Sequence, residues 1–269
     1  MFTKRFCLLV VLFGMTVITF QYMSDADIKQ TDDTSIASGV SGASPYIEKK
    51  EYCYPFSRGE RYVYAVKMTG LRVGTAELVY EGLSQLEGRD VVVITLTTKI
   101  TNFFDEERIF ADAETFLPVR IERTIRRLGL SENIVEEYSQ DENTVTIIKN
   151  EGKRQTQQVI TSDAPLQNII SLIYLLRSDA IFASDDIIEV NLPLKKVQFS
   201  LAGSKQVAVP EGKYQAQVIQ SVPRKYTIWL SDDEYKTPLR IDGAVGFAKT
   251  NMMLVEQYRG KEQGEGDGR

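Results

Sequence analysis

From residue 51 onward the chain consists of short runs of β-branched and aromatic residues separated by turn signals. Within the run 118–125, for example, Val119 and Ile121 alternate with Arg120 and Glu122. Because residues two apart share one face of a strand, this alternation predicts an antiparallel sheet with one apolar and one polar face. It predicts strands at 61–68, 73–80, 91–100, 107–111, 118–125, 133–138, 144–149, 155–160, 187–192, 213–220, 226–230, 239–241 and 247–257.

One segment, 165–177, departs from this pattern and predicts a helix. Ser162 and Asp163 are N-cap residue types, and Pro165 suits a first helical turn. Apart from a narrow polar stripe the segment is Leu and Ile, so the helix must be largely enclosed, and at roughly 20 Å it is too short to span a membrane. The predicted fold class is mainly β: a single curved antiparallel sheet, or half-barrel, wrapped around one apolar helix of residues 165–177. Such a sheet can leave an apolar cavity beside the helix.

The N-terminal residues predict export. Lys4 and Arg5 precede the apolar run 6–20, which is the layout of a signal peptide or an N-terminal membrane anchor. We therefore expect residues 1–23 to be that segment, 24–48 a flexible polar linker, 49–259 one all-β domain and 260–269 a disordered tail. The expected location is periplasmic, with a tether to the inner membrane if the segment is not cleaved. Both outcomes of cleavage remain open from the sequence.

Composition excludes several function classes. The net charge is −5, and an acidic chain is a poor match for nucleic acid, since such binding depends on neutralising phosphates. Net charge alone also disfavours an anionic membrane surface. The chain has no histidine and only Cys7 and Cys53, which removes Ser-His and Cys-His catalysis and His-ligated zinc. We expect no enzyme activity, no cofactor and no metal.

Several charged residues allow a simple structural interpretation. Gly59 and Glu60 are expected to form a turn with a local cap or ion pair before the first strand. The acidic runs 105–107 and 232–234 are expected to be solvated hairpin tips, since neither matches an EF-hand loop.

An ordered set of motifs resembles a known family. It begins with Phe56, Gly59-Glu60, Tyr64, Val66, Gly70 and Gly74, continues through the helix 167–177, and ends with the run 209–216, Trp229, Pro238 and Gly246. In this order the residues resemble the family catalogued as domain of unknown function 3108. The resemblance implies an exported bacterial β-domain similar in shape to the half-barrel of periplasmic lipoprotein carriers. It implies no reaction.

Two functions follow from these expectations. In the first, the domain binds a lipid, such as a lipoprotein acyl chain, or another hydrophobic ligand between sheet and helix. The candidate ligand residues are aromatic strand residues and apolar helix residues: Tyr62, Tyr64, Tyr80, Ile169, Leu172, Ile173, Leu176 and Trp229. The simpler interpretation of Trp229 is a core position, and the sequence leaves open whether the three Tyr residues lie on the outer face, in the core or on the wall of the site. In the second, the chain is a structural or assembly factor of the cell envelope and works through contacts with envelope proteins. A cavity between the layers favours the first, and a filled interior favours the second.

Overall fold

The computed structural model describes residues 52–178, 187–243 and 250–260. Contacts divide the chain into two units, 1–49 and 50–269, and all described residues belong to the second. The predicted signal or anchor, the linker and residues 261–269 of the predicted tail lie outside the described residues, so these expectations stay predictions.

The described residues form one antiparallel sheet of fourteen strands that is not closed, and one helix. The first eight strands are consecutive hairpins: β1 Arg61–Met68, β2 Leu71–Leu86, β3 Arg89–Ile100, β4 Phe103–Asp112, β5 Pro118–Arg127, β6 Leu130–Ser139, β7 Thr144–Glu151 and β8 Arg154–Thr161. Helix α1, Ile169–Ser178, follows. The last six strands are β9 Ile187–Leu192, β10 Lys195–Val209, β11 Gly212–Val222, β12 Thr227–Ser231, β13 Pro238–Asp242 and β14 Thr250–Tyr258.

The sheet therefore consists of two meanders joined at one seam. Its strand order is β8-β7-β6-β5-β4-β3-β2-β1-β14-β13-β12-β11-β10-β9. At the seam β1 pairs with β14, with Tyr64 opposite Leu254 and Val66 opposite Met252. Strands β8 and β9 are the two edges of the open sheet.

The segment before α1 contacts elements from both meanders. Leu166 forms a bridge with Asn191 of β9, and the Gln167 amide donates to the Asn191 carbonyl at 2.7 Å. The Gln140 side chain, between β6 and β7, accepts from the Leu166 amide and donates to its carbonyl, each at 3.0 Å. Residues 165–168 thus precede the helix, although the sequence predicted helix there, and the prediction of Ser162 and Asp163 as the N-cap is wrong.

The core lies between α1 and the inner face of the sheet. On β1 and β2, Tyr62, Tyr64, Leu78 and Tyr80 point inward and are at most 3% exposed. Inward residues of β12 to β14 continue this surface: Ile228, Leu230, Leu239, Ile241, Met252 and Leu254. The polar stripe of the helix is buried as well, because Ser171 and Tyr174 are both 0% exposed. The fold class predicted from the sequence, one antiparallel sheet around a single apolar helix, is confirmed.

Candidate functional site

Asn168 positions the N-terminal end of α1. Its Oδ1 accepts hydrogen bonds from the amides of Ile170 at 2.7 Å and Ser171 at 3.3 Å, which satisfies two amides that lack partners within the helix. Its Nδ2 donates to Oε1 of Glu107 on β4 at 2.7 Å. One side chain therefore caps the helix and attaches it to the sheet.

Arg177 fixes the C-terminal end of α1. Its Nη1 donates to Oε1 of Glu60 at 2.6 Å and its Nη2 donates to Oε2 at 2.9 Å. Nη2 also lies 3.0 Å from the Tyr62 hydroxyl and 3.1 Å from the Tyr235 carbonyl oxygen. The Arg177 side chain is 0% exposed and that of Glu60 5% exposed. This bidentate geometry is the strong form of a carboxylate–guanidinium contact.

Aromatic rings surround this ion pair. The guanidinium carbon of Arg177 lies 4.9 Å from the ring centre of Phe56, 5.4 Å from that of Tyr62 and 5.3 Å from that of Tyr174. Rings at this range favour a cation, because their faces carry negative electrostatic potential. The Tyr174 ring also stacks on Tyr80, with centres 5.7 Å apart. The rings and the Glu60 carboxylate thus stabilise the positive charge of Arg177 in the interior of the protein.

The helix residues proposed as ligand contacts pack into the core. Leu172, Ile173 and Leu176 are 1%, 0% and 3% exposed. Ile169, at the first position of α1, is half-buried and packs against the same cluster. These side chains fill the space between helix and sheet with one another and with the inner face of the sheet.

The proposed aromatic strand residues divide between two faces. Tyr62, Tyr64 and Tyr80 lie on the inner face, and the Tyr64 hydroxyl donates to the Pro238 carbonyl at 2.8 Å. Trp229 lies on the opposite face of β12 from the buried Ile228 and Leu230. It is half-buried there, and the guanidinium carbon of its neighbour Arg240 is 4.4 Å from the Trp229 ring centre. Trp229 therefore lies on the other face of the sheet from Tyr62, Tyr64 and Tyr80, although it also packs against the hydrophobic cluster.

A cleft opens beside the ion pair, at the end of the sheet where β1 begins. It has a volume of about 340 Å³ and is bounded by the segment 52–58, by Tyr80 and Leu83 of β2, and by Tyr235. The rings of Tyr54 and Phe56 stack with centres 5.0 Å apart, and the Tyr54 hydroxyl donates to the Ala113 carbonyl. One wall of the cleft is thus a stack of aromatic rings.

Gly82 shapes the same region. Strand β2 has a bulge between Tyr80 and Gly82, and Gly82 adopts a φ of +106°, which L side chains rarely adopt. A Cβ at this position would lie 2.9 Å from Cγ of Arg58. The absence of a side chain therefore lets the stem of Arg58 lie against β2 at the cleft.

A second polar cluster lies near the helix N-terminus. Arg123 of β5 donates to both carboxylate oxygens of Asp105, at 2.8 and 2.6 Å. Burial raises the pKa of Glu107, and the charge of Arg123 offsets part of that rise. Burial also raises the pKa of Glu136 on β6, whose carboxylate accepts from the Tyr138 hydroxyl at 2.5 Å. Asp105 and Glu107 are thus inner-face residues. Because the run 105–107 lies within β4, the prediction that it forms a solvated hairpin tip is wrong, and only Glu106 is exposed.

Sequence reasoning also missed the role of Glu60. Its partner is Arg177, 117 residues away, so the expected local contact is wrong. The sequence did contain one signal for this pair, because an Arg in a buried segment of Leu and Ile requires an anionic partner inside the protein.

Among the described residues, no group of three or more Cys, Asp or Glu is arranged to hold a metal ion. Helix α1, the one helix of the described residues, is too short to cross a bilayer.

These features define a class: a mainly β protein whose open antiparallel sheet encloses one helix fixed at both ends. The sequence profile of the family described as "Protein of unknown function (DUF3108)" matches residues 63–255, so the chain belongs to that family. The resemblance inferred from the motifs is confirmed.

Solved structures give more distant similarities. A β-barrel-like protein of the DUF1849 family from Brucella abortus is 12% identical, with a TM-score of 0.46 over 77% of this chain and 99% of that chain. A "putative lipoprotein" from Parabacteroides distasonis is 10% identical, with a TM-score of 0.27 over 78% of this chain and 100% of that chain. None of the curated proteins compared with the chain matched it. Similarities this remote carry no argument about function.

Proposed function

We propose that the chain is an exported, non-enzymatic protein of the bacterial envelope that binds a small amphipathic ligand in the aromatic cleft. The observation that carries this proposal is the cleft itself. Its volume of about 340 Å³ falls within the range of small-molecule sites, roughly 300–1,000 Å³. Export is supported by Lys4, Arg5 and the apolar run 6–20.

The cleft fits a ligand with an apolar body and a polar or anionic group. Tyr54, Phe56 and Leu83 offer ring and aliphatic surface, and Arg58 at the same cleft offers a guanidinium. The hydrophobic ligand expected between sheet and helix has less support at that position, because Leu172 and Ile173 are at most 1% exposed there. An acyl chain that binds this protein would therefore enter the cleft.

The non-enzymatic part of the proposal depends on the available chemistry. The sequence contains no histidine, and the described acids near the cleft include Glu60, which is committed to the Arg177 ion pair. A carboxylate in a bidentate pair is poorly placed to exchange protons with a substrate. Binding without turnover is the simplest activity of such a site.

The test is a titration with anilinonaphthalene sulfonate, a dye with an apolar body and an anionic group. The wild-type full chain should bind the dye with enhanced fluorescence. Leu83→Trp, which fills the cleft from a position already 39% exposed, should abolish that signal while leaving the denaturation midpoint unchanged.

Leu71→Trp is the matched control, since Leu71 lies at the other end of the same strand and is also exposed. It should bind dye as the wild type does. Equal dye binding by Leu83→Trp and the wild type would refute the cleft as the site. Native mass spectrometry of protein purified from its own envelope would then identify any ligand held elsewhere.

A structural or assembly role is the second candidate, and the filled interior favours it. Because Leu172, Ile173 and Leu176 are buried against the sheet, the role that remains for α1 is to maintain the shape of the sheet. On this alternative the wild type binds neither dye nor co-purified lipid, and a stoichiometric envelope protein co-purifies with it.

A further inference from the structure

Two guanidinium groups lie at the aromatic cleft. Arg58 is part of the cleft wall, and its side chain is exposed. Arg259 follows β14, and its guanidinium carbon lies 3.5 Å from the ring centre of Tyr235, which belongs to the same wall. Arg259 is exposed as well. The cleft therefore has two cations, contributed by segments that most of the domain separates in sequence.

The seam of the sheet brings the two arginines together. Tyr258, the last residue of β14, pairs with Arg61, the first residue of β1. Gly260 then packs so closely against the Arg58 backbone that a Cβ at position 260 would clash with the Arg58 carbonyl oxygen. The backbone segments that carry the two arginines are thus in direct contact, and strand pairing fixes where both side chains begin.

Each guanidinium is supported on one side and has free donors on the other. The aliphatic stem of Arg58 lies against Gly82, where an added Cβ would be 2.9 Å from Cγ and 3.2 Å from Cδ. The Arg259 guanidinium lies over the Tyr235 ring, and this contact occupies its face while its N–H groups point outward in the plane. Both side chains can therefore donate to a ligand without first breaking another hydrogen bond.

Neither arginine has an anionic partner within the part of the chain that the structure describes. No described acid forms an ion pair with Arg58 or Arg259, whereas the neighbouring Arg61 pairs with Glu77. The carboxylate of Asp233, in the β12–β13 turn, accepts three hydrogen bonds within that turn. The described residues of the cleft wall include no Asp or Glu. An anion from outside the chain is therefore the partner that this pair of guanidinium groups can accept.

Acidic residues nearby restrict where such an anion can bind. Asp90, Asp112 and Glu114 lie within electrostatic range of the Tyr54 hydroxyl. Their charges repel an anionic group from that part of the cleft, and the two arginines attract it. A ligand with separate apolar and anionic parts would therefore bind in one orientation.

Aromatic rings provide the apolar part of the site. The rings of Tyr52, Tyr54 and Phe56 stack in succession, with centres 6.0 and 5.0 Å apart and angles of 14° and 5° between their planes. Leu83, which is 39% exposed, adds an aliphatic side chain. A row of nearly parallel rings gives a continuous apolar surface for an acyl chain or a ring system.

On the basis of the proposed ligand site, on which this inference rests, we propose that the ligand is an amphiphile with a phosphate monoester group. Arg58 and Arg259 bind the phosphate together, and the apolar body lies along the stack of Tyr52, Tyr54 and Phe56. A phosphate monoester carries a charge of about −1.5 to −2 near pH 7 and offers three acceptor oxygens. Two guanidinium groups match this charge and can donate to it bidentately.

Arg259 sets the selectivity of this site. A carboxylate or a sulfate ester carries a single charge, which one guanidinium group can neutralise. The second guanidinium group gains most from a dianion, so the site should prefer a phosphate monoester to a sulfate ester with the same body. Loss of Arg259 should remove this preference without abolishing binding.

The experiment measures the binding of octyl phosphate and octyl sulfate to the full chain by isothermal titration calorimetry, at concentrations too low for micelles. The two probes have the same apolar body and differ in the charge of the head group. At about pH 8 octyl phosphate should bind about tenfold more tightly than octyl sulfate. At about pH 5, below the second pKa of the phosphate, about 6, the two should bind alike. Inorganic phosphate, which lacks the body, should bind more weakly than octyl phosphate.

Arg259→Gln should weaken the binding of octyl phosphate about tenfold, to the affinity of octyl sulfate, and should leave the binding of octyl sulfate nearly unchanged. Arg72→Gln is the matched control, because Arg72 is also exposed but lies at the other end of β2 from Leu83. It should bind both probes as the wild type does. Leu83→Trp, which fills the cleft, should abolish the binding of both. Circular dichroism checks that each variant is folded.

The outcomes separate this inference from the proposed ligand site. Equal affinity of the wild type for the two probes at about pH 8, or a preference that survives Arg259→Gln, would overturn the phosphate proposal and leave the amphipathic ligand site standing. Inorganic phosphate that binds as tightly as octyl phosphate would assign the arginines to free phosphate and overturn the amphiphile. If neither the probes nor the dye binds, the proposed function and this inference fail together.

Discussion

At the residue scale, the buried pair of Glu60 and Arg177 links the start of β1 to the end of α1. Two charges without access to water are tolerated only when each satisfies the other, and here the geometry is bidentate. The rings of Phe56, Tyr62 and Tyr174 add favourable contacts to the guanidinium. Loss of either member therefore leaves an uncompensated internal charge.

We predict that Glu60→Gln lowers the free energy of unfolding by about 3–5 kcal/mol, because Arg177 loses its anion. Denaturant unfolding of the full chain measures this. The matched control is Glu77→Gln at the solvent-exposed pair Arg61–Glu77, whose side chains are 36% and 43% exposed. That change should cost below about 1 kcal/mol. Similar losses in the two variants would contradict the assigned role of the buried pair.

Leu128 allows a second prediction at this scale. Leu128→Asn should raise the free energy of unfolding by about 0.5–1 kcal/mol, because Asn tolerates the positive φ better than Leu does. Leu130→Asn, two residues later and also exposed, has no positive φ to relieve and should give no gain. Denaturation midpoints compare the two variants. If both changes are neutral, the turn at Leu128 is not strained.

At the scale of elements, α1 has ten residues and depends on its two ends. Isolated helices of this length are marginal in water, so its stability comes from the core, from Asn168 and from Arg177. The hydrogen bond from Asn168 to Glu107 connects the helix cap with the polar cluster of β4, β5 and β6. The protonation state of this cluster should therefore affect the whole domain.

The pH dependence follows from the raised pKa values of Glu107 and Glu136, whose main cause is burial. A carboxyl group with a raised folded-state pKa stabilises the fold fully below its unfolded pKa, about 4.3, and loses that contribution as pH rises through the folded pKa. Glu107→Gln should therefore be more stable than the wild type at about pH 7 and similar to it at about pH 4.

Unfolding curves across this range measure the effect, and Glu106→Gln, on the exposed face of β4, is the control. A Glu107→Gln variant whose pH dependence parallels that of the wild type would exclude Glu107 as the titrating group.

The elements themselves were largely predictable from sequence. Alternating apolar residues predicted thirteen strands, and the bounds of β1 and β9 agree with the prediction. The missed strand, β10, contains Ala202-Gly203-Ser204, which has the composition of a turn. In the structure it is an irregularity between Leu201 and Ser204 within one long strand. The helix begins later than predicted because Leu166 and Gln167 pair with Asn191 of β9, and pairing between distant segments leaves no local sequence signal.

At the scale of the whole molecule, the sequence predicted the class but not the arrangement of polar groups. The burial of Leu172, Ile173 and Leu176 followed from the apolar character of the helix. The sequence left the face of Tyr62 and Tyr64 open, and it did not predict the inward position of Glu60, Asp105 and Glu107. Apolar periodicity reports burial only for residues that are apolar.

The seam between β1 and β14 has a consequence for biosynthesis. Thirteen of the fourteen strands can be in place, each hairpin paired with its neighbour, before β14 is available to pair with β1. Contacts between distant residues form slowly, because the intervening chain must first be closed into a loop. Until β14 arrives, the β1 edge beside Tyr64 and Val66 presents unpaired backbone groups to other chains. A nascent or translocating molecule would therefore be most vulnerable to aggregation just before its last strand is made.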